Sequence, residues 1–173
     1  MTHPCLLQPA TDRDSLARLS KLAHAIWQTH YVPIIGQAQV DYMLGEGYNI
    51  QALEALAATG SFFTLAVRNK RDIGFAAVSP DTQDSHIAWL GKLYVHIDAR
   101  RTGVASALLE WARQQARALN ASQLWLRVNK HNAGSIAAYE RLGFVIDRED
   151  VKDIGHGFVM DDYLMRSELE PLA

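Results

Sequence analysis

Leu93-Tyr94-Val95-His96-Ile97-Asp98-Ala99-Arg100-Arg101-Thr102-Gly103-Val104-Ala105-Ser106-Ala107 is the stretch on which the fold turns. Upstream, His86–Val95 carries Ile87, Trp89, Leu93 and Val95 in one alternation and Ala88, Leu90 and Tyr94 in the other. A strand apolar on both faces belongs at the centre of a sheet. Downstream, Val104, Ala105, Leu108, Leu109, Ala112, Ala116 and Leu119 recur at helical spacing within Thr102–Leu119. The turn between them has small residues at Gly103 and Ala105 and positive charge at Arg100 and Arg101. Small residues let a ligand approach the backbone, and the unpaired N–H groups and dipole of a helix start favour an anion such as a pyrophosphate. Arg100–Ala105 alone fits an ordinary Gly-containing βα turn equally well. It is neither a Gly-Lys-Ser/Thr phosphate loop nor a Gly-x-Gly-x-x-Gly turn.

Working outward, Leu6–Gln8 is a short extended start, and Thr11-x-x-Asp14 reads as a helix N-cap. Leu16, Leu19, Ala23, Ile26 and Trp27 then define an amphipathic helix towards Tyr31, ended by Pro33 and Gly36. Gln37–Leu44 and Gln51–Ala58 are expected helices, separated by a break at Gly45-Glu46-Gly47. Phe62–Arg68 and Ile73–Ser79 flank a polar turn as a β-hairpin. After the central strand and helix come a strand at Gln123–Asn129, a helix at Asn132–Leu142 with Gly143 as its stop, and closing strands at Phe144–Asp147 and Phe158–Met165. The order β, helices, βββ, α, β, α, ββ predicts one α/β domain over residues 1–173 on a mixed sheet.

A second polar constellation lies on the late helix. Asn132, Ser135 and Tyr139 fall at i, i+3 and i+7, a single stripe beside apolar Ala133, Ile136 and Ala137. Such a stripe is either a solvated face or one wall of a cleft. Composition narrows the partners. With 49% apolar and 21% charged residues and a net charge of −2, the chain is globular and lacks the basic stripe of a nucleic-acid binder. A mildly acidic surface tolerates a cationic ligand. No apolar run spans a bilayer, and the start Met1–Cys5 reads as no signal peptide, so a cytoplasmic location and no membrane partner are expected. The single Cys5 allows no internal disulfide, and the seven histidines have no metal-ligand spacing, so no metal is expected.

Taken together, Leu93-Tyr94-Val95 followed by Arg100-x-x-Gly103-x-Ala105 resembles the acetyl-CoA motif of the GCN5-related N-acetyltransferase (GNAT) superfamily. Asn129-x-x-Asn132-x-x-Ser135-x-x-x-Tyr139-x-x-x-Gly143-Phe144 resembles that family's second block, at the right separation and in the right element order. The tail Phe158–Met165 resembles the branch containing PaiA-like polyamine acetyltransferases. The resemblance implies a mostly antiparallel sheet of about seven strands, splayed into a V and flanked by four to five helices. It further implies acetyl-CoA as co-substrate, with no metal.

In that resemblance the pantetheine arm pairs with Leu93, Tyr94 and Val95. The pyrophosphate lies on Arg100, Arg101, Thr102, Gly103, Val104, Ala105 and Ser106. Asn132 and Ser135 contact the pantetheine arm or the adenosine end, and Tyr139 sits near the sulfur as general acid. The acceptor is a primary amine of a small molecule or peptide. Some family members place a Glu or His on the central strand to take the amine's proton, where this chain has Trp89 and Gly91. His30, Tyr31, His86, His96, His156, Asp161 and Asp162 are the alternatives, together with proton loss through water. Of the aromatic and acidic residues that suit a cationic amine, Tyr31 and Tyr42, next to chain breaks, are expected at the pocket. Homodimers are common among relatives. A non-catalytic acyl-CoA sensor, transfer of another acyl group, and a dinucleotide-binding domain are the competing readings.

Overall fold

Asn69 and Lys70 adopt φ of 50° and 62°, the two left-handed residues that close a tight hairpin between β2 (Phe62–Arg68) and β3 (Arg71–Pro80). The computed structural model describes residues 5–170; Met1–Pro4, on which most of the signal-peptide reading falls, lie outside the described residues, as do residues 171–173. Around that hairpin a seven-stranded sheet forms in the order β1-β2-β3-β4-β5-β7-β6. The outer members are β1 (Leu6–Pro9) and β6 (Val145–Gly155), with β4 (Ile87–Val95), β5 (Gln123–Asn129) and β7 (Phe158–Glu168) between. Every pairing is antiparallel except β4 with β5. The central place of β4 matches its apolar character on both faces.

The two faces bury separate cores. On one, α5 (Val104–Ala118) packs Val104, Leu108, Leu109, Ala112 and Ala116 against Ala76, Val78, Ala88 and Leu126 of the sheet. Gly74 makes this approach possible: a Cβ there would stand 2.9 Å from the Tyr94 carbonyl oxygen and 3.2–3.3 Å from Leu108 and Val104. On the other face, α1 (Arg13–His30), α3 (Gln37–Gly47) and α4 (Ile50–Ala58) bury Leu16, Leu19, Trp27, Leu44 and Leu53 against Leu65 and Phe75. The sixth helix, α6 (Ala133–Arg141), packs Ile136 and Tyr139 on the α5 side.

Local details depart from the sequence expectations in five places. Asp12, not Thr11, caps α1: its carboxylate accepts from the Ser15 N–H at 2.7 Å while Ser15 Oγ accepts from the Asp12 N–H at 3.2 Å. Tyr31–Gly36, expected as a break, holds the four-residue helix α2 (Val32–Ile35), with Pro33 in its first turn where a missing N–H is harmless. Among the described residues the α-helix count therefore reaches six. Helix α3 continues through Gly45 to Gly47, and Asn49, the cap of α4, donates to the Gly45 carbonyl at 2.6 Å. Strand β6 runs well past Asp147, through a charged sequence in keeping with an exposed edge strand.

The fifth departure matters most for the site. Strand β3 pairs Ala77 with Lys92 and then Val78 with Leu90, so Gly91 has no partner and forms a bulge. The extra residue swaps the faces. Ala88 and Leu90 share the α5-side core with Leu93 and Val95, whereas Tyr94 belongs to the α1-side core and Lys92 Nζ lies 3.9 Å from the centre of the Tyr48 ring. The expected alternation, with Trp89 beside Leu93 and Val95, is corrected by this bulge.

Candidate active site

Strands β4 and β5 pair only at Ile87–Gln123, Ala88–Leu124 and Trp89–Trp125. Past that rung they diverge, and the edge of Leu93, Tyr94 and Val95 that faces β5 has no strand partner. The backbone groups of a strand left open in this way are ready acceptors and donors for an extended ligand. At the mouth of the V the chain passes through a short 3-10 helix, Ile97–Ala99, into the Arg100–Gly103 turn. Arg101 (φ 57°) and Gly103 (φ 83°) are both left-handed, which turns the chain sharply into α5. The first backbone bond of that helix is Ala107 N–H to the Gly103 carbonyl at 3.0 Å, so the N–H groups of Val104, Ala105 and Ser106 have no backbone acceptor. Thr102 is held in place, donating to the Ala99 carbonyl at 2.7 Å and accepting from Arg68 at 3.1 Å. Arg100 and Arg101 remain exposed. The donor set and its dipole fit a pyrophosphate, and the open strand edge fits a pantetheine arm.

The late helix closes the other side. Asn132 stands at the N-terminus of α6, 4% exposed, and makes no capping bond to its own helix. Its amide lies beside the His30 ring and the Tyr31 hydroxyl at the end of α1. His30 also meets Arg100 at 3.4 Å; burial, then the Arg100 charge, hold its pKa below the usual histidine value. Ser135 is half-buried on the same helix. Tyr139 stands edge-on to Phe144, ring centroids 5.7 Å apart, and burial pushes its phenol up to about 12. Its hydroxyl lies within electrostatic reach of those of Tyr31 and Tyr94, which burial first, then Tyr94 beside Tyr31 and Tyr48 beside Tyr94, keep well above the ordinary phenol value.

Between the two wings is a small cleft of about 70 Å³. Trp27 of α1, Tyr31 at its C-terminal cap, Met43 of α3 and Tyr94 of β4 form one wall, with Tyr31 4.5 Å from Trp27 and 6.1 Å from Tyr94 between ring centroids. Asn129 of β5 and Asp162 of β7, directly paired in register, form the opposite wall. Asp162 is 3% exposed, and desolvation lifts its carboxyl to about 6 despite Arg127 and Lys130 nearby.

The remaining candidates lie elsewhere. Tyr42 is not in the cleft: its hydroxyl donates to the Ile154 carbonyl at 2.6 Å, and its ring packs on His156 and Phe158 at the β6–β7 turn. His86 precedes β4 at the closed end of the V. His96 accepts from the Asp98 N–H at 3.3 Å as the cap of the 3-10 helix. Asp161 is paired with Lys130 at 2.6 Å. Trp89 donates its indole N–H to Asp81 at 2.7 Å. Strand alternation was the signal able to separate Asp162 from Asp161, since neighbours on β7 point to opposite faces.

The sequence matches the acetyltransferase (GNAT) family over residues 21–144. No curated protein matches the chain. Among solved structures, the PaiA N-acetyltransferase of Thermoplasma acidophilum, in complex with coenzyme A, superposes with a TM-score of 0.77 at 18% identity, covering 96% of this chain and 99% of that one. A GCN5-related N-acetyltransferase from Rhodopseudomonas palustris gives 0.76 at 20% identity, covering 98% of each chain. The acetyltransferase yncA of Salmonella typhimurium, described as putative and solved with acetyl-CoA, gives 0.68 at 20% identity, covering 99% of this chain and 97% of that one. These likenesses are likenesses of fold; the family match runs from within α1 to the start of the last hairpin, across both the Arg100–Ser106 turn and the Asn132–Tyr139 helix, and by it the chain belongs to the acetyltransferase (GNAT) family.

Proposed function

We propose that this chain, acting as one domain, transfers an acetyl group from acetyl-CoA to a primary amine of a small molecule or peptide by direct aminolysis. One observation carries the reading: the free N–H groups of Val104–Ser106 follow the open edge of β4, and the phenol of Tyr139 lies near Tyr31 and Tyr94 of the aromatic cleft. Acetyl-CoA supplies a thioester, whose carbonyl carbon takes the amine and whose sulfur leaves as a thiolate. Val104, Ala105, Ser106 and the Arg100–Arg101 pair hold the diphosphate. The open edge of Leu93–Val95 orients the arm, and an N–H there polarises the carbonyl oxygen. Asn132 and Ser135 line the arm's other side. Burial keeps Tyr139 protonated across the neutral range, so it holds a proton for the departing sulfur.

Such a reaction belongs where acetyl-CoA is available, in the cytoplasm. The competing reading is an acyl-CoA sensor, which needs the cradle but no proton donor. Release of free CoA thiol from acetyl-CoA across polyamines, alkylamines, amino acids, aminoglycosides and peptide N-termini separates the two. Turnover on any of these supports the enzyme; tight acetyl-CoA binding with none supports the sensor.

A further inference from the structure

The acceptor side of the cleft holds one carboxylate with no partner. The Oδ2 of Asp162 is buried without a hydrogen bond, and among the described residues no ion pair reaches this side chain. The charged groups around it are already engaged. Arg127 of β5 is bonded to Asp150 of β6, and Lys130 beyond β5 is bonded to Glu149 at 2.8 Å and to Asp161 at 2.6 Å. The other titratable groups on the cleft are Tyr31 and Tyr94, both neutral phenols. A buried carboxylate without a cation is costly, and such a group persists where a ligand completes it. The walls that Asp162 faces include Trp27, Ile35, Met43 and Met160, which suit the carbon chain of an amine rather than a second charge.

We infer that Asp162 receives the ammonium group of the acceptor and takes its proton, so that the site selects primary alkylammonium ions. The inference rests on the acetyltransferase reading above. One N–H bond of the ammonium breaks, its electron pair stays on nitrogen, and the proton passes to the Asp162 carboxylate. The freed pair forms the new C–N bond as the C–S bond breaks. The sulfur takes the proton held by Tyr139, and the nitrogen sheds a second proton that restores the phenol. One ammonium and one thioester thus give one amide, one thiol and one proton, which leaves Asp162 for solvent. The raised carboxyl, at about 6, remains ionised near neutral pH and accepts a proton more readily than an exposed aspartate. The assignment also explains a central strand with Trp89 and Gly91 where a base is otherwise expected: the base stands on the opposite wall, on β7.

The test compares kcat/KM against pH for butylamine and for methoxyamine, which is neutral near pH 7, in the full-length chain and in Asp162→Asn and Tyr139→Phe. Acetyl-CoA affinity is measured alongside. The expected wild-type profile for butylamine rises through about pH 6 and levels off. In Asp162→Asn it falls on the order of 10²-fold or more and keeps rising towards the amine's own pKa of about 10.4. Acetyl-CoA affinity and the methoxyamine rate change little. If Asp162→Asn fails to fold, the wild type decides alone: a limb near pH 6 for butylamine and none for methoxyamine supports the inference, and identical profiles overturn it. An Asp162→Asn profile equal to wild type, with Tyr139→Phe slow, overturns the role of Asp162 and leaves the acetyltransferase reading standing. Acetyl-CoA binding without turnover of any amine overturns that reading instead. Calorimetry of butylammonium with the CoA-loaded protein then decides the carboxylate's role: binding to wild type but not to Asp162→Asn supports it, and equal or absent binding overturns it.

Discussion

Trp89 and Trp125 stand side by side on the last rung shared by β4 and β5, with ring centroids 6.0 Å apart. Arg127 lies 5.5 Å over the first ring and Arg148 5.3 Å over the second, so the closed end of the V is a packed aromatic and cationic block. Trp89 is also fixed through its indole N–H to Asp81. Where chemistry is sometimes placed in this family, the chain has built a structural wedge. In the proposed mechanism the reacting groups accordingly come from the open end and from the far wall.

Tyr139→Phe removes the hydroxyl and leaves the ring against Phe144. Turnover should fall on the order of 10²-fold while acetyl-CoA affinity stays nearly unchanged. Steady-state rates with a calorimetric Kd check both, and unchanged turnover removes Tyr139 from the mechanism.

Gly103→Ala meets no neighbouring atom, because no heavy atom lies within 4 Å of the position a Cβ would take. Its cost is the left-handed backbone, about 1–2 kcal/mol for an L-residue, which the chain relieves by reshaping the turn. The expected result is weaker acetyl-CoA binding with little change in kcat at saturation, together with a small drop in Tm. Equal affinity would show that the turn does not hold the cofactor.

Tyr42→Phe deletes the hydrogen bond to the Ile154 carbonyl, worth about 1 kcal/mol, and leaves a partly buried acceptor without its donor. Tm should fall by a few degrees with amine KM unchanged, because the ring braces α3 against the last hairpin and not the cleft. A raised amine KM without loss of Tm would restore the acceptor-site role expected from the sequence.

Asp162→Asn should melt higher than wild type near neutral pH. The folded carboxyl, at about 6, lies above its ordinary value of 3.8, because burial disfavours the charge. The folded state therefore binds more protons than the unfolded one between these values, and stability falls as pH rises through that window. The variant's advantage should appear above about pH 6 and vanish below about pH 4, as thermal melts across pH will show. A constant difference at all pH values would assign the effect to packing.

The order of strands and helices was legible because long periodic segments such as Val104–Leu119 and Phe62–Arg68 carry their own pattern. Features set by context were not. Strand β6 holds Arg148-Glu149-Asp150 and no apolar alternation, since an edge strand needs charge more than burial. Thr11 and Asp12 are both competent caps, and only the entry angle of the chain chooses between them. The turn at Arg100–Ser106 was readable because it is local. Asp162 was one name among seven, since its isolation depends on Arg127 and Lys130 being occupied by β6 and by Asp161, across a pairing that no linear motif encodes.

The bulge at Gly91 acts on β4 as a change of phase. Lys92 to Val95 are read half a period out of step with Ile87 to Leu90, and that offset alone delivers the Tyr94 ring to the cleft and the Leu93 side chain to the α5 layer. Point substitutions along the strand leave the phase intact, so individual side chains there are free to drift. Loss of a single residue would transpose all four together, emptying one core and crowding the other. The length of this strand is therefore under tighter constraint than its composition.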